Sequence, residues 1–584
     1  MKTPAEQDSV KWIKSLVDRE GFGPRMRTWL LNRWERHRLC AGLTEANKAI
    51  RQEIPLMAAV IAQYPALIDA LIFDAAARER WAKGAADEVL CLLSSVECDS
   101  YLASLKAGYR MAAQVCADRR IEPFDLPKKP KQRDYEKAVL RMACEDWWHR
   151  TINKEAKRAA EHLEIAKGNV NRNTPYCSDN CVKQHQRTQK RQRSWMEEMA
   201  VASDFGDVLK LSEVVDSSMA NPELRRVELL VRTAGLEKQA TEEGRIGYFL
   251  TFTAPSRFHK ASKKWNGCSP VAAHNWILDV WKRIRAKLNR EQIDYYGLRV
   301  VEPHQDGTAH WHAVVFLNPD QVAEFKRICR RWCLQDEGKE KGAWRHRFHA
   351  KYIDPEKGSA VGYVIKYLSK NLNGAHMADE LSEETPCAHN SKPEEADLNV
   401  PETIDRVVAW ARRFGIRQFQ FFGTGSVTLW RECRRTHKQT GPFPETFEEA
   451  RAAAVANKWD AFCEVARSLQ LEYEIEKEAG RYSDDTRRVI GVRAGDQVIH
   501  TRPKKWALVR PAKRDELIQS ARGAPWSPTN NCTPCRKGDA LDRHLALLGV
   551  GPEARSILER GGFVTSRLGD RYFALRGGQL REYH

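Results

Sequence analysis

The segment GLRVVEPHQDGTAHWHAVVFLN, residues 297–318, constrains the fold of this 584-residue chain more than any other stretch. Two runs of strand-forming residues flank Asp306-Gly307, a dipeptide that is typical of a tight hairpin turn. In the second run, the side chains from Ala313 to Leu317 are apolar on both faces of the predicted strand. A strand of this kind is covered on both sides, so the segment predicts a hairpin whose second strand lies centrally in a sheet.

Strand-like and helical segments alternate around this hairpin. YFLTFTAP is typical of a strand, whereas HNWILDVWKRIRAKLNRE and FKRICRRWCL have the apolar spacing of amphipathic helices. We therefore predict an α+β domain over residues 240–435. Residues 1–239 are predicted to form a mainly helical N-terminal region and are a candidate DNA-binding region. Residues 436–584 are predicted to be helical and then loop-rich, with no assigned role.

The composition of the chain limits the classes of ligand and partner that it can be expected to bind. The formal net charge of +18 favours polyanions, which places nucleic acid first among candidate ligands. No run of about twenty apolar residues occurs, so no membrane partner is expected. The N-terminus lacks the pattern of a secretory signal, and the 15 scattered cysteines suit a reducing compartment, so we expect a cytoplasmic protein. The chain has no phosphate-binding loop of the Gly-x4-Gly-Lys type, so no nucleotide cofactor is predicted.

Two histidines on the second strand of the hairpin form the first candidate site. His310 and His312 are two residues apart, so both imidazoles project from the same face. Buried imidazoles need partners, and a pair of them beside a carboxylate suits a divalent cation. Glu302, on the preceding strand, is the preferred third ligand. His304 and Asp306 are alternatives, because the sequence does not fix the register of the hairpin.

A tandem repeat of Tyr-x-x-Lys forms the second candidate site. In VGYVIKYLSKNL, an apolar stripe follows helical spacing, and the repeat lies on the opposite side of the predicted helix. The repeat consists of Tyr363, Lys366, Tyr367 and Lys370. Each tyrosine has a lysine one turn away, and an ammonium group stabilises both a phenolate and the charge that builds on an attacked phosphate. This pattern predicts a tyrosine nucleophile acting on a phosphodiester.

The combination resembles a known family. YFLTFT, EPHQDGTAHWH and YVIKYLSK are similar to motifs 1, 2 and 3 of the His-hydrophobe-His (HUH) nicking endonucleases, in the order found in replication initiators. The paired tyrosines and the segment AWARRFGIRQFQFFGTGSVTLWRECRR resemble the gene A replication endonucleases of tailed phages and prophages, which start rolling-circle replication.

The resemblance implies a role for each matching residue. His310 and His312 would be metal ligands, together with Glu302. Tyr363 and Tyr367 would be nucleophiles assisted by Lys366 and Lys370. It further implies a five-stranded antiparallel sheet, Mg²⁺ or Mn²⁺ as cofactor, and a 5′-phosphotyrosine intermediate on origin DNA in the cytoplasm of a bacterial host. Because the chain has no helicase motif, the host replicative helicase is the expected partner for strand separation.

Two alternatives remain at this point. A two-tyrosine rolling-circle transposase shares the same catalytic parts, although the phage-like segment after residue 409 argues against it. A DNA-binding module without catalysis would not need the nucleophiles. Separately, Cys177-x3-Cys181-x3-His185 and Cys532-x2-Cys535 are half-motifs that leave zinc binding open.

Overall fold

The protein contains both helices and antiparallel sheets, which confirms the α+β class. The computed structural model describes residues 3–96, 98–362, 364, 400–436, 443–480, 482, 485–509, 563–565, 572–576 and 579–583. The helices are α1 (Pro4–Arg19), α2 (Pro24–Ala62), α3 (Asp69–Phe73), α4 (Ala75–Ser94), α5 (Tyr101–Asp118), α6 (Gln132–Met142), α7 (Glu145–Ala166), α8 (Asp179–Glu198), α9 (Leu211–Asp216), α10 (Pro222–Glu242), α11 (Pro270–Arg290), α12 (Val322–Cys333), α13 (Ala343–His346), α14 (Val400–Phe414), α15 (Val427–Arg435), α16 (Glu445–Val455) and α17 (Trp459–Ser468). The strands are β1 (Ala200–Ser203), β2 (Val208–Lys210), β3 (Ile246–Thr253), β4 (Tyr295–Pro303), β5 (Ala309–Leu317), β6 (Phe348–Tyr352), β7 (Phe419–Phe422), β8 (Glu472–Ala479), β9 (Asp485–Ala494), β10 (Gln497–His500), β11 (Trp506–Val509), β12 (Phe563–Thr565), β13 (Tyr572–Arg576) and β14 (Gln579–Tyr583).

The chain divides into two compact units, each built from separate stretches of sequence. The first contains residues 1–182, 236–424 and 476–488, and the second contains residues 183–235, 425–475 and 489–584. The domain boundaries predicted near residues 239 and 435 stay predictions. No helix among the described residues is long and apolar enough to span a membrane.

Helices α1–α7 of the first unit pack around a common hydrophobic core. Trp34 and Trp148 are fully buried in it, and each indole N–H has an acceptor: Asn47 Oδ1 at 2.8 Å for Trp34 and Met142 O at 2.7 Å for Trp148. Helix α2 bends at Gly42, whose φ of +85° is readily adopted by glycine. The mainly helical character predicted for the N-terminal region is therefore observed in these helices.

The first unit also contains a five-stranded antiparallel sheet with the order β6-β3-β5-β4-β7. Strand β5 is central, and residues 304–308 connect it to β4 in a hairpin. Gly307 in this turn has a φ of +81°, which explains the glycine of the Asp-Gly dipeptide. The predicted hairpin and the five-stranded antiparallel sheet are both observed.

Helices α11 and α12 cover one face of this sheet. The buried residues of α11 recur at helical spacing and pack in the same core as the β5 residues that point to that face, including Trp311 and Val315. Val314 and Phe316 point to the other face and are also buried. The apolar pattern on both faces of β5 is therefore explained by burial on both sides, as predicted. This packing holds in place the strand that carries His310 and His312.

The second unit contains a three-stranded sheet, β11-β1-β2, and helices α15–α17. Trp430, Trp459 and Phe462 form an aromatic cluster with ring centroids 5.1 to 5.7 Å apart. Glu432 is buried and accepts hydrogen bonds from Thr501 and Arg502. The helices after residue 436 agree with the prediction, whereas the strands from β8 onward replace part of the predicted loop-rich region. Helix α8 carries the basic run of residues 183–194, whose side chains are mostly exposed.

Candidate active site

The register of the sheet brings the predicted ligands to one face. Glu302 on β4 lies directly opposite His310 on β5, so these two side chains point to the same side of the sheet. On the other flank of β5, Thr253 pairs with His310 and Thr251 pairs with His312. The structure therefore brings His310, His312 and Glu302 together at one site.

Two threonines orient the imidazoles. Thr253 Oγ1 lies 3.3 Å from Nδ1 of His310, and Thr251 Oγ1 lies 3.2 Å from Nδ1 of His312. The ring of His312 also stacks on Phe249, with centroids 5.2 Å apart. When a threonine hydroxyl accepts the hydrogen bond from Nδ1–H, the lone pair of Nε2 remains available to a cation. Neither threonine was predicted, because their contact with the histidines depends on the pairing of β3 with β5, which are distant in sequence.

His304 joins this pair from the hairpin turn. Its ring centroid lies 4.2 Å from that of His310, which in turn lies 4.6 Å from that of His312. Within the described part of the chain, His304 Nε2 is buried and has no hydrogen-bond partner. Burial and the neighbouring His259 lower the pKa of His304 to about 4. Burial, followed by His304 and His312, lowers the pKa of His310 well below its ordinary value. Both rings are therefore neutral near pH 7, which is the form that binds a metal.

Asp306 is fully engaged in holding the turn. Its Oδ1 accepts the backbone N–H of Thr308 at 3.0 Å, and its Oδ2 accepts that of Ala261 at 3.2 Å. His259 Nδ1 lies 3.6 Å from the same Oδ2. Although burial raises it, the hydrogen bond and charge of His259 bring the pKa of Asp306 far below its ordinary value. Of the three alternatives for the third ligand, Asp306 therefore fits worst.

The three histidines and Glu302 line one cavity of about 280 Å³. Its lining includes Glu302, His304, His310 and His312, together with Tyr176 and Val407. The hairpin turn below it is braced twice: Tyr176 N–H donates to Gln305 O at 3.2 Å, and Trp410 Nε1–H donates to Gly307 O at 2.9 Å. The site is thus built on a central strand and on a turn fixed by neighbouring elements, as a precise constellation requires.

The two-tyrosine segment is described only at its start. Residues 360–362 and 364 are helical, and Val364, which belongs to the predicted apolar stripe, is buried. Glu237 caps this start by accepting the backbone N–H of Ala360 at 2.5 Å and that of Val361 at 3.4 Å. Tyr363, Lys366, Tyr367 and Lys370 lie outside the described residues.

A second group of potential ligands is buried elsewhere in the first unit. The ligand atoms of Glu161, Cys177 and Cys181 lie within 4.8 Å of one another, a spacing that the histidine cluster does not match among the described residues. Glu161 accepts two hydrogen bonds from Ser178, both at 2.7 Å, and the thiol of Cys177 donates to Arg406 O at 3.3 Å. These bonds give Glu161 and Cys177 partners without an ion, and zinc binding at Cys177 and Cys181 stays a prediction. Glu161 was not predicted, and Cys532 and Cys535 lie outside the described residues.

Comparisons with known proteins place the chain among phage replication proteins. Residues 83–375 match the family model of the bacteriophage replication gene A protein. The chain belongs to this family. No solved structure matches it.

Individual relatives agree with this assignment. The chain is 38% identical over 407 residues to the "Probable replication protein P12" of Pseudoalteromonas phage PM2, covering 68% of this chain and 62% of the relative. It is 37% identical over 430 residues to the "Replication gene A protein" of Escherichia phage 186, covering 68% and 59%. It is 29% identical over 471 residues to a "Probable replication endonuclease from prophage-like region" of Salmonella paratyphi A, covering 74% and 57%. The chain thus spans about 60% of the length of these relatives.

Proposed function

We propose that this protein is a DNA endonuclease that nicks one strand at a phage or prophage origin and starts rolling-circle replication. The observation that carries the proposal is the cavity in which His310 and His312 of the central strand β5 meet Glu302 of β4 and His304 of the hairpin turn, in a chain of the gene A family. The similarity of this chain to a relative named as a probable replication endonuclease supports DNA as the substrate.

The donor set suits Mg²⁺ or Mn²⁺. His310 and His312 would hold the ion with Glu302, His304 or both, since all four side chains line the cavity. The buried Nε2 of His304, which has no other partner among the described residues, supports its inclusion. When bound, the ion would polarise the phosphate that is to be cut.

The nucleophiles of the proposed reaction are Tyr363 and Tyr367. The phenol oxygen of one tyrosine gives up its proton and forms a bond to phosphorus, while the bond from phosphorus to the 3′ oxygen breaks and that oxygen leaves as a 3′-OH. The DNA phosphate is then joined to the tyrosine at the 5′ end, and the reverse reaction religates the strand without a nucleotide. Lys366 and Lys370 would stabilise the phenolate and the charge on the phosphate. The host replicative helicase would separate the strands.

The proposal is tested with supercoiled DNA that carries the gene for this protein. We expect Mg²⁺ or Mn²⁺ to allow conversion to open circles with protein attached. His310→Ala and His312→Ala should lower nicking by at least ~100-fold and leave most DNA binding intact, because affinity comes mainly from phosphate contacts. His500→Ala, which changes an exposed histidine of β10, is the matched control and should nick normally. Undiminished nicking in excess EDTA would rule out the metal site.

A further inference from the structure

A second cavity adjoins the candidate metal site. It has a volume of about 520 Å³ and shares His304 and His310 with the first cavity, while its outer wall carries Arg345, His346 and His349. We call it the Arg345 cavity. Because the two cavities share a pair of histidines, a group bound in the second would lie beside a group bound in the first.

The two cavities differ in charge. The first contains the carboxylate of Glu302, whereas the Arg345 cavity has no aspartate or glutamate in its lining. It presents instead a guanidinium, imidazoles and the hydroxyls of Thr251 and Thr253. A guanidinium is always charged and offers several N–H donors in a fixed fork, which matches the oxygens of a phosphate. The first cavity therefore suits a cation, and the Arg345 cavity suits an anion with several acceptor oxygens.

Arg345 is available for such an anion. Among the described residues it has no acidic partner, although its neighbour Arg347 is paired with Glu340 at 2.7 Å. Arg347 is buried and also donates to Asp336 O at 3.3 Å, so it fixes the end of the short helix α13 on which Arg345 lies. The wall is thus held in place by one arginine while the other faces the cavity.

We propose that the Arg345 cavity binds a backbone phosphate of the DNA strand next to the phosphate that is cut, with Arg345 as the principal contact and His346 and His349 beside it. Arg345 would be a positioning residue, which places the strand so that the neighbouring phosphate reaches the histidine site. This inference rests on the proposed function and adds to it the place where the substrate backbone is held.

The test uses oligonucleotides that contain the nick site mapped on supercoiled DNA. In each oligonucleotide one phosphate near the nick is replaced by an uncharged methylphosphonate, and binding is measured by fluorescence anisotropy in EDTA. We expect one position close to the nick at which the replacement weakens binding to the wild-type protein by ~10-fold, the worth of a charge-assisted contact. Arg345→Ala should bind the unmodified strand about as weakly and show no further loss at that position.

Matched variants separate this effect from general charge and from misfolding. Lys341→Ala removes one positive charge from an exposed position of the same segment and should keep the position-specific loss. Arg345→Lys should recover part of the affinity, since it keeps the charge but not the fork. All variants should unfold at the wild-type temperature, because Arg345 and Lys341 are both exposed.

Two failures are distinguishable. A wild-type protein that does not nick DNA overturns the proposed function and this inference with it. If the wild-type protein nicks DNA, the inference alone is overturned by either of two results: no position-specific loss, or the same loss at the same phosphate in Arg345→Ala.

Discussion

At the scale of single residues, the candidate site depends on groups that hold the imidazoles rather than on the imidazoles alone. The hydroxyls of Thr251 and Thr253 each contact one Nδ1, which sets the ring orientation and determines which nitrogen faces the cavity. Hydrogen-bond partners of metal-binding histidines affect metal affinity because they fix the orientation and the tautomer of the ring.

We therefore predict that Thr251→Val and Thr253→Val each weaken Mn²⁺ binding by ~10 to 100-fold. Valine has nearly the same shape as threonine but lacks the hydroxyl, so the ring loses its partner while packing is kept. Affinity can be measured by titration calorimetry, with Thr251→Ser and Thr253→Ser as controls that restore the hydroxyl. Equal affinity in the valine and serine variants would show that the hydroxyls do not orient the ligands.

The sequence predicted that His310 and His312 share a face because alternation along a strand is a local property. It favoured Glu302 as the third ligand without fixing the register of the hairpin, which places Glu302 opposite His310. It could not identify the two threonines, since their contacts come from the pairing of β3 with β5, more than fifty residues away. Glu161 was missed for a similar reason, since it meets Cys177 and Cys181 only when α7 packs against the following loop and the start of α8.

At the scale of elements, the segment around α13 positions the outer wall of the Arg345 cavity. Glu340 is its main brace, because its carboxylate lies 2.7 Å from Arg347 and 3.0 Å from Lys264 and also accepts a hydrogen bond from Ser256. Burial raises the pKa of Glu340, but these donors outweigh burial and lower it from 4.5 to about 2.

The direction of this pKa shift determines how the contribution of Glu340 to the free energy of unfolding depends on pH. A carboxylate with a lowered pKa in the folded state stabilises that state above its unfolded pKa, and this stability is lost as the pH falls. We predict that Glu340→Gln lowers the free energy of unfolding at pH 7 by about 1–2 kcal/mol, less than the full shift would give, because solvent screens part of the interaction.

The pH window can be checked by urea unfolding. The difference between wild type and Glu340→Gln should shrink between pH 4.5 and about 2, where the carboxylate of the folded wild type becomes protonated. Glu337→Gln changes a more exposed carboxylate of the same segment and serves as the control. A difference that stays constant over this range would contradict the assignment.

The long, periodic elements were predictable, and the short ones were not. Helices α11 and α12 and strands β3, β4 and β5 agree with the prediction because each has a clear apolar pattern. Strand β6 was not predicted, because this edge strand leaves most of its side chains exposed or half-buried and so has no apolar alternation. The strands from β8 onward were missed in a stretch rich in charged residues.

At the scale of the whole molecule, both compact units are discontinuous in sequence. The predicted regions 1–239, 240–435 and 436–584 are consecutive in sequence and stay predictions. A hydrophobic pattern is local, so it does not indicate that residues 476–488 belong to the same unit as residues 1–182. Membership of the gene A family, by contrast, was predictable, because its motifs are short, ordered and rich in chemically specific residues.

The proposed function requires that a tyrosine of this chain becomes joined to the 5′ end of the nicked strand. Digestion of the protein–DNA product followed by peptide mass spectrometry locates the attached nucleotide. We predict the nucleotide on Tyr363 or Tyr367 in the wild type. In Tyr363→Phe or Tyr367→Phe it should lie on the remaining tyrosine, and cleavage of oligonucleotides should persist in part. The double variant should neither cleave nor carry an adduct. A nick without an attached nucleotide, or an adduct that survives in the double variant, would contradict the account.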